Sequence, residues 1–358
     1  MRTFTFNNFD EAYPELIAAL LNEGKDVSPR GMLTKEIAPV AITINNPNEK
    51  VISNSARKLN YGFMVGELLW ILQGSNNLDH IAHYNKQWRN FSDDQETLNG
   101  AYGQRIFNWD ASYDIIFGEK IDDEGNTHPD IDVQHIIIDQ FEMAYEQLKA
   151  DALSRQATIV LFNPKQDCRE TRDKPCTNLI RFMVREGKLN MTVFMRSNDI
   201  ILGFPYDIFN FTILQEIMAG RLGVEIGKYT HIADSFHIYE HHFDMANEII
   251  KQKGDNLYAN NIVTDARIDN KDYSDILKLV FDVESVTRNM GSIIDLEIVT
   301  KELDKIRNDY WRSLAAVVAV YNFRKFGRNQ DELEILKGYI TNEFASLDTI
   351  KNWKTLKK

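Results

Sequence analysis

KPCTNLIRFMVREGKLNMTVFMRSND, Lys174 to Asp199, is the stretch whose reading decides the fold. Its middle, Leu179 to Phe194, alternates apolar and polar residues on both sides of Gly187-Lys188. That is the pattern of two antiparallel strands joined by a tight turn. Folding the second strand back beside the first brings Cys176, just before the hairpin, to Arg196, just after it. A cation beside a thiol favours the thiolate, the form that attacks carbon. A lone cysteine is more often a buried structural residue. Pro175 and the polar neighbours of Cys176 favour an accessible thiol held in a turn. Cys168, in KQDCRE, has no comparable partner and keeps the structural reading.

Around this hairpin, helical and strand patterns are mixed rather than strictly alternating. Helical spacing covers Phe9 to Leu21, Leu59 to Leu72, Val133 to Ala150, Asp207 to Leu222 and Glu240 to Lys251. Strand patterns cover Ile37 to Ile44, Ala157 to Phe162 and Tyr229 to Tyr239. Ser112 to Asp132, rich in Asp, Gly and Glu, reads as an inserted surface loop. The mixture predicts an α+β fold. KQKGDNLYANN, from Lys251, marks a boundary that divides the chain into 1–251 and a mainly helical 252–358. In the latter, Ile293 to Phe326 forms one or two long helices with Trp311, Leu314, Val317 and Val318 on one face. Gln330 to Phe344 is helical again.

The 358 residues are 43% hydrophobic, enough for a sizeable core, and carry a formal charge of −12. That charge argues against a nucleic-acid surface but leaves room for a small phosphorylated ligand held by a few arginines. Two cysteines are too few for a disulfide framework and suit a reducing compartment. The N-terminus has early acidic residues and no apolar run, unlike a signal peptide. The longest apolar stretch, Leu314 to Val320, is too short to span a bilayer. The expectation is a soluble, cytoplasmic protein, in host cytoplasm if viral, that engages neither membrane nor nucleic acid.

Four constellations bear on chemistry. Cys176 with Arg196 is the first. In the second, ELLWILQG (Glu67 to Gly74), one carboxylate opens an apolar helical stretch. Glu67 is either a buried acid/base of raised pKa or a residue of the solvated stripe. In the third, Arg30, Arg155 and Arg196 each accompany a serine (Ser28, Ser154, Ser197), a palette suited to phosphate. Each arginine taken singly reads as surface charge. In the fourth, HIYEHH, His237 and His241 share a helical face, but no Cys or acid stands at zinc spacing, so no metal is expected. Gly100 and Gly103 do not form a phosphate loop.

ELLWILQG, GAYG, SRQATIVLFN, KPCTN, MRSNDIILGFPYD and SFHIY, in this order over about residues 9 to 250, resemble the thymidylate synthase superfamily. The CTN and MRSND wording is similar to its deoxycytidylate hydroxymethylase branch. The resemblance implies an α+β domain whose mixed sheet packs back to back in a homodimer, with 5,10-methylenetetrahydrofolate and a pyrimidine nucleoside monophosphate as partners. It implies Cys176 as nucleophile at C6, Glu67 as acid/base working through water, and Tyr102 beside the thiol. Arg196 and Ser197 would hold phosphate, with Arg196 also lowering the thiol pKa. Arg30 would lie on a mobile phosphate loop, and Arg155 would reach across the dimer. His237 and Tyr239 match the sugar-contacting pair. Asp199, Trp88, Leu202 and Gly203 fall in the folate pocket.

Departures from the family's common pattern carry the specificity expectation. Asp207 stands where synthases have the asparagine that donates to O4 of uracil. A carboxylate accepts from the 4-amino group of cytosine and, with one shared proton, also pairs with N3, so Asp207 argues for cytosine. The alternative is an Asp that caps the helix starting there. Gln156 replaces a second cross-subunit arginine, Thr177 a histidine, and WRNF lacks the acid and second tryptophan of the synthase folate wall. The short C-terminal tail that closes the synthase site has no counterpart. These changes favour admitting water, hence hydroxymethylation of a cytidine monophosphate nucleotide, dCMP over CMP. C5 methylation of dCMP or dUMP, or a non-catalytic nucleotide-binding protein, are the alternatives.

Overall fold

A computed structural model describes residues 1–124, 126–253, 257–260, 265–341 and 343–354. The hairpin Thr177–Arg185 and Lys188–Met195 forms as the alternation requires. Ile180, Phe182 and Val184 of the first strand and Leu189, Met191 and Val193 of the second turn inward. The turn residues Glu186 and Gly187 have φ of 53° and 72°. Glycine takes this left-handed region without penalty, and one non-glycine residue beside it is tolerated.

This hairpin lies within a six-stranded mixed sheet. Its order is Arg2–Phe6, Val40–Ile44, Glu225–Ala233, Lys188–Met195, Thr177–Arg185 and Thr158–Val160. Parallel pairs (Arg2–Phe6 with Val40–Ile44, and Lys188–Met195 with Glu225–Ala233) sit among antiparallel ones. A smaller sheet orders Asn198–Asp199, Phe236–Tyr239, Thr34–Ile37 and Lys25–Val27. It receives the chain directly after the hairpin, so Arg196 to Asp199 lie where the two sheets meet. Helix Phe204–Leu222, apolar on almost every side, fills the space behind the main sheet. Gln215 Nε2 there donates to Leu189 O at 2.8 Å. The α+β expectation holds.

Several element boundaries differ. The strand expected over Ile37 to Ile44 is broken by Ala38-Pro39, which has no N–H for Pro39 to pair. Tyr229 to Tyr239 likewise splits at Asp234-Ser235 between the two sheets. The expected loop Ser112 to Asp132 is a two-stranded hairpin, Tyr113–Ile121 with Thr127–Gln134. The helix expected from Val133 begins at Gln140, where the Asp139 side chain accepts from Glu142 N at 2.8 Å. Part of KQKGDNLYANN lies outside the described residues. Leu296–Lys305 and Asp309–Lys325 are the two helices expected within Ile293 to Phe326. Among the described residues no helix is long and apolar enough to cross a membrane.

The C-terminal helices share one apolar core with the sheets. Asp309–Lys325 packs on Tyr61–Leu72, the helix that bears Glu67. Two glycines admit neighbouring rings closely, Gly62 that of Tyr321 on Asp309–Lys325 and Gly66 that of Tyr84 on Leu78–Tyr84. A Cβ at Gly62 would stand 2.0 Å from the Tyr321 ring, and one at Gly66 2.7 Å from the Tyr84 ring. Tyr84 is itself held, its hydroxyl donating to Glu284 Oε1 at 2.7 Å, an oxygen also met by Arg288 Nε and His80 Nε2. Burial alone would raise the Glu284 pKa, but His80 and Arg288 more than offset it and hold it at about 2. Gly62→Ala should therefore cost about 3 kcal/mol, the upper end for overpacking. It should also displace the helix under Glu67. A fall in Tm together with a fall in kcat is the expected result, and an unchanged Tm would show that Tyr321 moves aside freely.

Candidate active site

Four side chains from four parts of the chain lie deep in the molecule yet keep some solvent access. Cys176 precedes the central hairpin, Tyr102 opens helix Tyr102–Phe107, Glu67 lies in Tyr61–Leu72, and Asp207 lies in the first turns of Phe204–Leu222. They act on one another electrostatically. Asp207 raises the pKa of Glu67, of Cys176 and of Tyr102, and Cys176 also acts on Tyr102. Tyr102 Oη accepts from Thr177 N at 3.3 Å, and its ring stacks on Phe211.

Arg196 holds the cysteine turn. Its Nε donates to Pro175 O at 3.1 Å and its Nη2 to Lys174 O at 2.9 Å, while its backbone N donates to Cys176 O. Arg196 lowers the thiol pKa as expected, but the net shift is upward. Burial pushes the thiol up more than Arg196, with Arg30, pulls it down, and Asp207 and Asp173 add to the rise. Desolvating an anion next to two carboxylates outweighs two partly hydrated guanidinium groups.

Glu67 is inward rather than on a solvated stripe. Burial, then Asp207, push its carboxyl up to about 8, and the Asn210 amide, donating to Oε2 at 2.9 Å, opposes them. Asp207 is pushed up to about 7 by burial, against the bond it accepts from Asn198 Nδ2 at 2.8 Å. It is not the helix cap. The helix begins at Phe204 with Gly203 at the cap, and the Asp207 side chain faces Asn198.

The remaining expected residues separate into two groups. Arg30 lies in the turn Pro29–Gly31 at φ 53°, a strained position for arginine, and acts on both Cys176 and Tyr239. Ser197 follows Arg196. His237 is buried beside Tyr239, with ring centroids 5.3 Å apart, and bonds Ser235. His237 is on a strand and His241 in the following turn Glu240–His242, so the shared helical face expected for them does not exist. Asp199 Oδ1 accepts from Ile201 N and Leu202 N, whereas its Oδ2 is buried with no partner among the described residues. Trp88 packs against Trp70 and Phe91, and Leu202 is 52% exposed. Gly203 lies over the Asn198–Asp207 pair, where a Cβ would stand 3.1 Å from Asp207 Oδ2. Arg155 stands apart, exposed, its carbonyl accepting from Arg181 Nη2, and it is not among the charges acting on Cys176.

Sequence reasoning missed Asn198, Asn210, Tyr229 and His231. Asn210 was within reach, because three residues after Asp207 is the same helical face. The other three had no signal, since strands of both sheets bring them together.

The raised carboxyls set a pH dependence of stability. In the unfolded chain they ionise near 4 to 4.5. In the folded chain Glu67, Asp207 and Glu343 keep their protons up to about 8, 7 and 7. That stabilisation is complete below the unfolded values and lost as pH rises through the folded ones. His83 and His231, depressed by burial to about 4 and about 3, act in the opposite sense, but their contribution is already complete above about pH 6.5. The Tm of the ligand-free protein should therefore fall between about pH 6.5 and 8.5, and Glu67→Gln should flatten the slope. A Tm that rises across this range would contradict the assignment.

The family model described as thymidylate synthase matches residues 11–284. A deoxyuridylate hydroxymethyltransferase of Bacillus phage SP01 is 34% identical over 283 residues, 77% of this chain and 68% of that protein. A protein of the same name from Pseudomonas phage M6 is 30% identical over 244 residues, 67% of this chain and 62% of that protein. On the family match over most of its length and on these relatives, the chain belongs to the thymidylate synthase family.

Proposed function

We propose that this enzyme hydroxymethylates C5 of a pyrimidine deoxynucleoside monophosphate, dCMP, with 5,10-methylenetetrahydrofolate, through a bond between Cys176 Sγ and C6 of the base. The observation that carries the reading is the convergence of Cys176, Tyr102 and Glu67 about Asp207, whose charge acts on all three. The names of the two phage relatives support the hydroxymethyl chemistry.

Each residue has a task its surroundings suit. Cys176 adds to C6 as a thiolate, the form favoured by Arg196 and Arg30. Addition at C6 makes C5 nucleophilic. Glu67, protonated up to about pH 8, moves protons through water at the base, whose charge after addition at C6 falls on N3 of cytosine or O4 of uracil, and at the exocyclic carbon. Asp207 holds the 3,4-edge of the base. Arg30, Arg196 and Ser197 take the phosphate, with Arg155 supplied across a homodimer, in keeping with its distance from the thiol's charges. His237 and Tyr239 contact the sugar.

The folate residues fit their group. The unpartnered, buried Asp199 Oδ2 awaits a donor such as a pterin N–H, and Trp88, Leu202 and Gly203 offer apolar area and backbone approach. Bound there, the folate supplies a carbon at the oxidation level of formaldehyde, and water supplies the hydroxyl oxygen, so tetrahydrofolate leaves unoxidised. Helix Asp309–Lys325 braces the Glu67 helix, on which it packs.

A second reading, dUMP as substrate, is favoured by the names of both relatives. Offering dCMP, CMP and dUMP, and following C5-hydrogen release with mass analysis of the product, tests both. Hydroxymethylated dCMP is the expected product. Turnover of dUMP alone selects the second reading, a methylated product overturns the chemistry, and no release from any nucleotide overturns the function.

A further inference from the structure

A buried chain of hydrogen bonds ends on Asp207. Tyr229 Oη stands 3.0 Å from His231 Nδ1, His231 Nε2 stands 3.1 Å from Asn198 Oδ1, and Asn198 Nδ2 donates to Asp207 Oδ2 at 2.8 Å. Tyr229 and His231 are wholly buried and Asn198 nearly so. Tyr229 and His231 are two residues apart on Glu225–Ala233, hence on one face. A Cβ at Gly203 would stand 3.3 Å from Asn198 Nδ2 and 3.1 Å from Asp207 Oδ2, so glycine there leaves the pair undisturbed.

The polarity of this chain follows from its ends. A neutral imidazole has one donor and one acceptor nitrogen. Tyr229 retains its proton and donates to Nδ1, so the ring proton is on Nε2 and points at Asn198 Oδ1. The Asn198 amide must then present its NH2 to Asp207. The reversed amide would set oxygen against carboxylate and NH2 against the imidazole N–H.

We infer that Asn198 is the positioning residue that fixes which oxygen of Asp207 carries the carboxyl proton, and so restricts the site to one pyrimidine 4-substituent. This rests on the function proposed above. With Oδ2 committed as an acceptor, the proton belongs to Oδ1. A neutral carboxyl with a fixed proton is one donor and one acceptor in a fixed order. Cytosine presents an N3 acceptor and a 4-amino donor, and uracil presents the reverse. One order therefore pairs fully with one base and leaves buried polar groups opposed with the other. Without the Asn198 donor the proton can settle on either oxygen, and both bases find a partner. The titratable groups facing Asp207 are Glu67 on Tyr61–Leu72, Tyr102 on Tyr102–Phe107, Cys176 before the hairpin, and Tyr229 and His231 on Glu225–Ala233. Only His231 reaches it through Asn198.

The test is the ratio of kcat/KM for dCMP and dUMP, measured with full-length enzyme and methylenetetrahydrofolate. Asn198→Ala should bring the ratio toward one by about tenfold. It should also move the alkaline limb of kcat/KM for the preferred substrate to higher pH, because Asp207 must carry its proton to take up the base and the lost amide donor had favoured its ionised form. Tyr229→Phe, which keeps the ring and touches no substrate, should shift the ratio the same way by less, and decides the matter where Asn198→Ala does not fold. A ratio and a limb unchanged in the folded variants overturn the inference alone, as does a wild-type ratio near one. A wild type that releases C5 hydrogen from neither nucleotide overturns the proposed function, and this inference with it.

Discussion

Cys176→Ala should lose C5-hydrogen release and product formation by about 10⁴-fold or more, the scale seen when a covalent nucleophile is removed, while nucleotide binding stays measurable. The proposed chemistry has no path around the thiol. C5 of a pyrimidine is a poor nucleophile until something adds at C6, and the described side chains around Cys176, namely Tyr102, Glu67 and Asp207, offer no nucleophile of comparable reactivity. Tyr102 is held well above its ordinary pKa by burial, Asp207 and Cys176. Glu67 and Asp207 keep their protons to about 8 and about 7. Binding should survive because phosphate, sugar and base edge are assigned to other residues. The substitution removes one half-buried sulfur that packs at the margin of the core, so Tm should change little. Cys176→Ser separates nucleophilicity from size, since a hydroxyl there has no base positioned to activate it. Fluorescence or calorimetric titration with dCMP beside the release assay supplies both readouts. Turnover surviving in Cys176→Ala would remove the covalent step. Binding lost in parallel would move the thiol from chemistry to architecture.

The part of the site legible in the sequence was the part held by one hairpin. Period-two alternation from Leu179 to Phe194 fixes the pairing of Thr177 with Met195 to within a bulge, and that pairing places Cys176 beside Arg196. The identity of Asp207 was legible, but its partner was not. Asn198 comes from a two-residue strand of the smaller sheet and His231 from the main sheet, and nothing local tells a reader that these sheets meet there. The net direction of the thiol pKa was illegible for a similar reason, because burial depth is a property of the whole fold. The hairpin Tyr113–Ile121 with Thr127–Gln134 was hidden by its own composition, in which Asp, Gly and Glu interrupt the apolar positions Ile116, Ile121, Ile131 and Val133. Helix Tyr273–Met290 was overlooked because Glu284 and Thr287 occupy places on its buried stripe that apolar residues usually fill. Their burial makes sense only once His80, Tyr84 and Asn322 are seen to meet them.

Glu67→Gln should lower kcat by about 10²- to 10⁴-fold, the range for a positioned general acid–base group, and should change KM much less. Glutamine keeps the shape of the side chain and can still bond Asn210, whose amide donates to Glu67 Oε2 at 2.9 Å. What it loses is the exchangeable proton. In the native enzyme that proton is retained to about pH 8, first because burial penalises the carboxylate and second because Asp207 lies close by. A group donating a proton to the base must be protonated at the start of turnover, so kcat should decline as the pH rises through about 8, and the variant should lack that limb. Asp207 sharpens the test. Asp207→Asn removes the neighbouring negative charge, which should lower the Glu67 pKa and draw the alkaline limb of kcat toward neutral pH. It should also exchange the acid that reads the 3,4-edge for an amide with a fixed donor. Measuring kcat against pH for wild type, Glu67→Gln and Asp207→Asn with the preferred nucleotide distinguishes these effects. An alkaline limb that persists in Glu67→Gln would assign the titration to another group. A limb that stays where it was in Asp207→Asn would mean that the two carboxyls do not sense each other's charge, against their placement side by side.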